Sequence, residues 1–189
     1  MCASGLATLA FFYCDFREDR KKHRRGLLSS LLDQFCHQSD AYYVTLSEFY
    51  LAHGRHYPSE SELVHCLKRM LELPGQATAY VIIDSLDNCP KTTTIPSPRG
   101  EVLELVEELV KSEISNLRIC VTSRPEADIA RVLDPLVFRS ISLHEERGQR
   151  QDITKYIKAV VNMDREMRTW EAKDRELVID TLTEKSDGM

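Results

Sequence analysis

No run of eighteen apolar residues occurs in the 189-residue chain, so the sequence contains no segment that reads as a membrane-spanning helix. It lacks an excess of basic charge: the net charge is -5, opposite to what a dedicated nucleic-acid-binding domain carries. The apolar stretch from Met1 to Phe12 has no basic residues before it and leads into Cys14-Asp15-Phe16, so it reads as a strand and not as a signal peptide. The six cysteines include no C-x-x-C pair. A zinc knuckle or disulfide framework needs closer, patterned spacing, so these thiols read as small hydrophobes in a reducing, cytoplasmic setting. The seven glycines stand isolated, and no G-x-x-x-x-G-K-[ST] occurs. A backbone nest of the kind that cradles phosphates is therefore absent. Internal repeats and low-complexity tracts are missing too.

What is present is an alternation of apolar runs and helical stripes. Residues 6–14, LATLAFFYC, form a continuous apolar run that predicts a buried strand. Arg17 to Arg25 is polar throughout and reads as a solvated loop feeding a helix, whose core face is Leu27, Leu28, Leu31, Leu32 and Phe35. A second helix is expected from Tyr42 to Ala52, with Tyr42, Tyr43, Phe49 and Tyr50 as a face against the sheet. Ser59 and Glu62 have the form of a capping box, opening a helix with Leu63, Leu67, Met70 and Leu71 on one side. Residues 78–84 predict a strand, 88–100 a loop, and Pro98 the first turn of a helix carrying Val102, Leu105, Val106 and Leu109. LRICVTS, 117–123, predicts another strand, and a short helix with Ile129 and Val132 follows. LVFRSISL, 136–143, reads as a further strand, and two helices close the chain. Alternating strands and helices imply an α/β fold with a mainly parallel sheet. The six histidines suggest no ligand set; His53 and His56 flank Gly54-Arg55 in an expected surface loop. Trp170 reads as a packing or helix-start residue.

Two strand ends carry chemistry. YVIIDSLDNCP, residues 80–90, runs from apolar and β-branched residues into Asp84 and Asp87. One strand–helix unit later, the other strand ends in Thr122, Ser123 and Arg124. Right-handed parallel connections bring both ends to the same sheet edge, where ligands of open α/β sheets sit. Carboxylates beside hydroxyls and an arginine suit a magnesium–phosphate ligand, with the metal held through its water shell.

VIIDSLDNCP resembles the Walker B segment of NACHT-type P-loop NTPases, and RICVTSRPE is similar to the sensor strand of that family, with its TSRP turn at 122–125. SPRGEVLELVEELVKSEISNL and SISLHEERGQRQDITKYI resemble the fungal branch, often described by the nephrocystin-type N-terminal domain. The resemblance covers Leu6 to Met189. It implies a partial RecA/ASCE-like P-loop core over residues 1–145, with the first strand and P-loop missing and the chain starting after the Walker A loop. Residues 146–189 would begin the helical region next to the winged helix. By that resemblance Asp84 is the magnesium ligand, Asp87 and Asn88 occupy the acidic pair that orients the hydrolytic water, and Arg124 meets the terminal phosphate beside Thr122 and Ser123. ATP and Mg²⁺ are the family's cofactors. Asn88 replaces a glutamate, and an amide orients water without taking its proton. The implied function is a STAND-class intracellular signalling NTPase module that binds nucleotide weakly without Walker A. Its partners would be other protein domains or a second copy through the core, not nucleic acid or membrane. The alternatives are a nucleotide-independent interaction module and a metal-dependent phosphotransfer or nuclease domain. For the last, Asp15 is the one further carboxylate at a strand end.

Overall fold

The computed structural model describes residues 7–185 except 22, 55, 94 and 143–146. Leu6 and Leu143, the outer ends of two expected strands, lie outside the described residues. By internal packing the chain forms two compact units, Met1–Val137 and Phe138–Met189.

In the first unit, strands β1 (Ala7–Tyr13), β2 (Thr78–Asp84) and β3 (Leu117–Val121) form one parallel sheet in the order β1-β2-β3. Between β1 and β2 come helices α1 (Arg24–Cys36), α2 (Asp40–His53) and α3 (Glu60–Leu71); α4 (Pro98–Lys111) joins β2 to β3, and α5 (Ala127–Leu133) follows. The fold is the mixed α/β class that the alternating pattern implies, an open parallel sheet flanked by helices. The leucine stripe of α1 is wholly buried. On α3 the Ser59 hydroxyl accepts the Glu62 N–H at 3.3 Å, and the Glu62 carboxylate accepts the Ser59 N–H at 2.7 Å. That is the reciprocal cap expected from the spacing. Pro98 opens α4, and the Ser97 hydroxyl accepts the Gly100 N–H at 3.2 Å.

Two expectations fail. Residues 136–142 contain no strand: the Leu136 and Val137 N–H groups turn back onto the Leu133 carbonyl oxygen at 2.8 and 3.0 Å. Strand-forming composition expresses itself only beside a pairing partner, and here Val137, Phe138 and Ile141 are exposed. On α2, Tyr42 and Phe49 are buried but Tyr43 and Tyr50 are exposed. Positions 42 and 49 share one helical stripe and 43 and 50 lie beside it. The buried stripe packs on α1 and α3, with Phe35 edge-on to Tyr42.

The two outer edges of the sheet differ. On β1, the Gln34 side-chain amide takes the Phe11 N–H and donates to the Phe11 carbonyl oxygen (3.0 and 2.8 Å). Gln38, one turn on, does the same at Leu9 (2.9 and 2.7 Å). Two glutamines thus imitate a neighbouring strand and close the edge. On β3, the N–H and C=O groups of Ile119 and Val121 face away from β2 and meet no hydrogen-bond partner among the described residues.

Gly26 sits where the Arg20 carbonyl meets α1; a Cβ built there would stand 1.8 Å from that oxygen. A helical Gly→Ala change ordinarily stabilises by about 1 kcal/mol. Gly26→Ala is instead expected to destabilise by roughly 1–3 kcal/mol, the cost of overpacking, read as a lower urea midpoint.

The α2–α3 contact is pH-sensitive. His53 closes α2, not a surface loop, and its Nε2 lies 3.1 Å from Glu62 Oε1. The Ser59 hydroxyl and N–H and the His53 ring hold the Glu62 carboxyl down to about 2. The Phe49 carbonyl oxygen, then Glu62, raise His53 above its ordinary value. A lowered carboxyl stabilises the fold above its unfolded value of 4.5 and loses that stabilisation as pH falls toward 2. A raised imidazole stabilises below its unfolded value of 6.5 and loses that contribution as pH rises through the folded value. Urea midpoints are therefore expected to peak in mildly acidic solution, and Ser59→Ala to flatten the acid limb.

The second unit holds α6 (Arg147–Met163) and α7 (Ala172–Lys185), whose small core is Ile157, Val161 and Ile179. Trp170 ends the short 3-10 turn just before α7. No helix among the described residues is long and apolar enough to cross a membrane.

Candidate functional site

Along β2 the buried residues alternate, Ala79, Val81 and Ile83, and the strand lies between two parallel neighbours. Its last residue, Asp84, is therefore delivered to the C-terminal edge of the sheet. Ser85 then adopts a left-handed conformation, φ 57° and ψ 47°, and turns the chain into a 3-10 turn over Leu86–Asn88. Leu86 is fully buried and pegs that turn to the core.

Because β2 and β3 run in register with Ile83 opposite Val121, the next residues, Asp84 and Thr122, meet. The Thr122 hydroxyl donates to Asp84 Oδ1 at 2.5 Å and accepts the Ser85 N–H at 3.0 Å. The Ser85 hydroxyl donates to Asp84 Oδ2 at 3.2 Å. The Thr122 N–H and carbonyl oxygen bond to the Ile83 carbonyl oxygen and the Leu86 N–H, at 2.9 and 3.0 Å. Carboxylate and hydroxyl oxygens at a half-open strand end are hard oxygen ligands of the type that could hold a hydrated magnesium ion.

A second pair stands beside the first. Asp87 Oδ1 accepts the Arg124 N–H at 3.1 Å, and Oδ2 lies 3.6 Å from Arg124 Nε. Asp87 is largely enclosed, with 11% of its side chain exposed, whereas 86% of Arg124 is exposed. Asp87 here holds the turn after β3, and Arg124 stands in solvent over it. Two expected residues make no side-chain bond to Asp84, Thr122 or Asp87. Asn88 is exposed, with its N–H on the Ser85 carbonyl oxygen at 2.9 Å. The Ser123 hydroxyl donates to the Arg124 carbonyl oxygen at 2.6 Å.

Sequence reasoning missed Arg99. Its side chain is 6% exposed and reaches from the first turn of α4 to both strand-end loops. It donates to the Asp87 carbonyl oxygen at 2.6 Å, to the Cys89 carbonyl oxygen at 3.0 Å, to Asp128 Oδ2 at 3.3 Å, and to Glu126. A cation in the first turn of a helix opposes the helix dipole; that misfit is the one signal in the sequence that Arg99 has partners elsewhere. Beneath the same turn, Cys14 and Cys89 are buried side by side. The bond to the Cys89 sulfur, together with burial, pushes the Cys14 thiol far above the ordinary range, so it stays protonated and packs as a hydrophobe.

A cavity of about 510 Å³ opens between α2 and α3, lined by Phe49, His53, Glu62, His65 and Arg69 among others. None of the strand-end residues lines it.

Residues 2–124 match the family model described as Nephrocystin 3, N-terminal. No curated protein and no solved structure matches the chain.

Proposed function

We propose a function from one premise: the chain belongs to the nephrocystin 3 N-terminal family, and the matched span, residues 2–124, includes both strand ends. The chain is a nucleotide-switch module of the NACHT kind, a part of a STAND-type signalling protein. Its contribution is the magnesium and sensor edge of the nucleotide site. The observation that carries this reading is the Thr122–Asp84 hydrogen bond, which joins the ends of two adjacent parallel strands into one oxygen-rich cluster. In it Asp84 would hold Mg²⁺ through water, Thr122 would fix the carboxylate's orientation, and Arg124 would reach the terminal phosphate from its exposed position. The bound Mg²⁺ would bridge phosphate oxygens and neutralise charge there. Asp87 supports Arg124 more directly than it supports a water molecule, and Asn88 supplies no base. Hydrolysis by this edge is therefore slow or absent.

The phosphate cradle is the part that these residues do not supply. No glycine-rich loop with its lysine stands in the sequence, and most contacts to nucleotide phosphates come from such a loop. Residues 1–189 are accordingly expected to bind Mg-ATP no tighter than about millimolar, some 4 kcal/mol. Titration calorimetry checks this, and micromolar binding contradicts it.

A second reading, an interaction module working without nucleotide, is favoured by the contrast between the sheet edges. β1 is closed by Gln34 and Gln38, while Ile119 and Val121 of β3 offer their backbone groups outward. A strand from another domain or another copy fits that edge. The metal-nuclease reading gains nothing: Asp15, the further strand-end carboxylate, is held by Arg17 at 3.0 and 2.8 Å.

A further inference from the structure

Asp33, Cys36 and His37 lie within one turn at the C-terminal end of α1, with Asp33 and His37 exposed and Cys36 half-buried. One oxygen, one sulfur and one nitrogen from their side chains lie within 4.8 Å of one another. Among the described residues no other trio of His, Cys, Asp or Glu does so. Cys36 Sγ is 3.6 Å from His37 Nδ1, and that nitrogen is 3.8 Å from Asp33 Oδ1. Tetrahedral zinc, with Zn–S of about 2.3 Å and Zn–N or Zn–O of about 2.0–2.1 Å, sets its S and N ligands about 3.6 Å apart and its N and O ligands about 3.4 Å apart. The donors already stand close to those edges.

Two further features agree. The last turn of α1 has no lysine or arginine, so no such cation meets the negative end of the helix dipole. The groups that now occupy the donors are protons: the Cys36 thiol and His37 Nδ1–H both donate to the Asp33 carbonyl oxygen, at 3.0 and 2.7 Å. The neighbouring amides of Gln34 and Gln38 are engaged on β1 and do not compete. The adjacent Cys36-His37 pair escapes spacing rules built on C-x-x-C.

We propose that Asp33, Cys36 and His37 form a three-ligand site for a zinc-class divalent transition-metal ion, with the fourth position open to water. Thiolate and imidazole donors disfavour magnesium and calcium there. On binding, the Cys36 sulfur exchanges its proton for the metal and releases it to solvent, while the imidazole proton moves from Nδ1 to Nε2. A thiol ordinarily holds its proton at neutral pH and a thiolate binds the metal, so close to one proton leaves per ion. The bound ion pins the turn that carries Gln34 and Gln38, and with it the closure of the β1 edge. This site is independent of the nucleotide reading.

The test is titration of the reduced full chain with Co²⁺, followed by the near-ultraviolet thiolate-to-cobalt charge-transfer band. One Co²⁺ per chain, release of a proton and displacement by Zn²⁺ are expected. Cys36→Ser should abolish the band while leaving the other five cysteines in place. Asp33→Asn and His37→Gln should each weaken binding at least about tenfold, the lower end of even an outer-shell loss. A band that persists in Cys36→Ser, or no band in the parent chain, overturns the site. If circular dichroism shows Cys36→Ser unfolded, the two exposed variants decide, and unchanged affinity in both overturns it.

Discussion

Arg99→Ala is expected to lower stability by about 3 kcal/mol, the usual scale for removing one partner of a buried charged network, and the Tm by roughly 10 °C. The Arg99 guanidinium joins two separate pieces of chain: the turn after β2, through the Asp87 and Cys89 carbonyl oxygens, and the start of α5, through Glu126 and Asp128. Truncation leaves two backbone acceptors without this donor and Glu126 without its cation, while Asp128 keeps only Lys91, at 3.5 Å. Each uncompensated polar group costs on the order of 1–3 kcal/mol when buried, and the partial exposure of Glu126 and Asp128 keeps the total at the lower end. Arg99→Lys is expected to recover less than half, because an ammonium on a flexible stem cannot span the acceptors that a planar fork reaches together. Amide exchange should quicken at Asn88 and Cys89, whose N–H groups bond within the tethered turn. Calorimetry and exchange on the two variants are the measurements; an alanine variant as stable as the parent would show that the turn holds itself.

Much of the fold was legible because its determinants are local. The Ser59–Glu62 cap, the α1 leucine stripe and the apolar run of β2 each follow from residues within one turn or one strand. The meeting of the candidate residues was legible at one remove: two polar strand ends in a parallel sheet must share an edge, and Asp84 lies against Thr122 and Asp87 against Arg124. What escaped depends on distant partners. Gln34 and Gln38 look like a solvated helix face until β1 is seen to lie beside them. Residues 136–143 have strand composition, but residues 136–142 find no neighbour among the described residues to express it. Arg99 carries no local motif at all; its acceptors come from turns that only the folded sheet assembles.

Extending the N-terminus with a strand and a glycine-rich phosphate loop is expected to raise ATP affinity from about millimolar to about micromolar, from roughly 4 to 8 kcal/mol. The added strand has a place to pair, since Ile119 and Val121 present unused backbone groups along β3. The added loop supplies the amides and lysine that most phosphate contacts require. Arg124→Ala in the extended chain should weaken ATP more than ADP if, as proposed, this exposed guanidinium meets the terminal phosphate. Equal weakening of both nucleotides would remove the sensor role.

The decisive titration compares ATP binding to the extended chain and to its Asp84→Ala variant, each with and without Mg²⁺. Magnesium should tighten binding at least about tenfold, some 1.4 kcal/mol, when Asp84 is present, and should have no effect when it is alanine. An Asp84→Ala variant that keeps the full magnesium enhancement would contradict the assignment of the β2 end as a magnesium site.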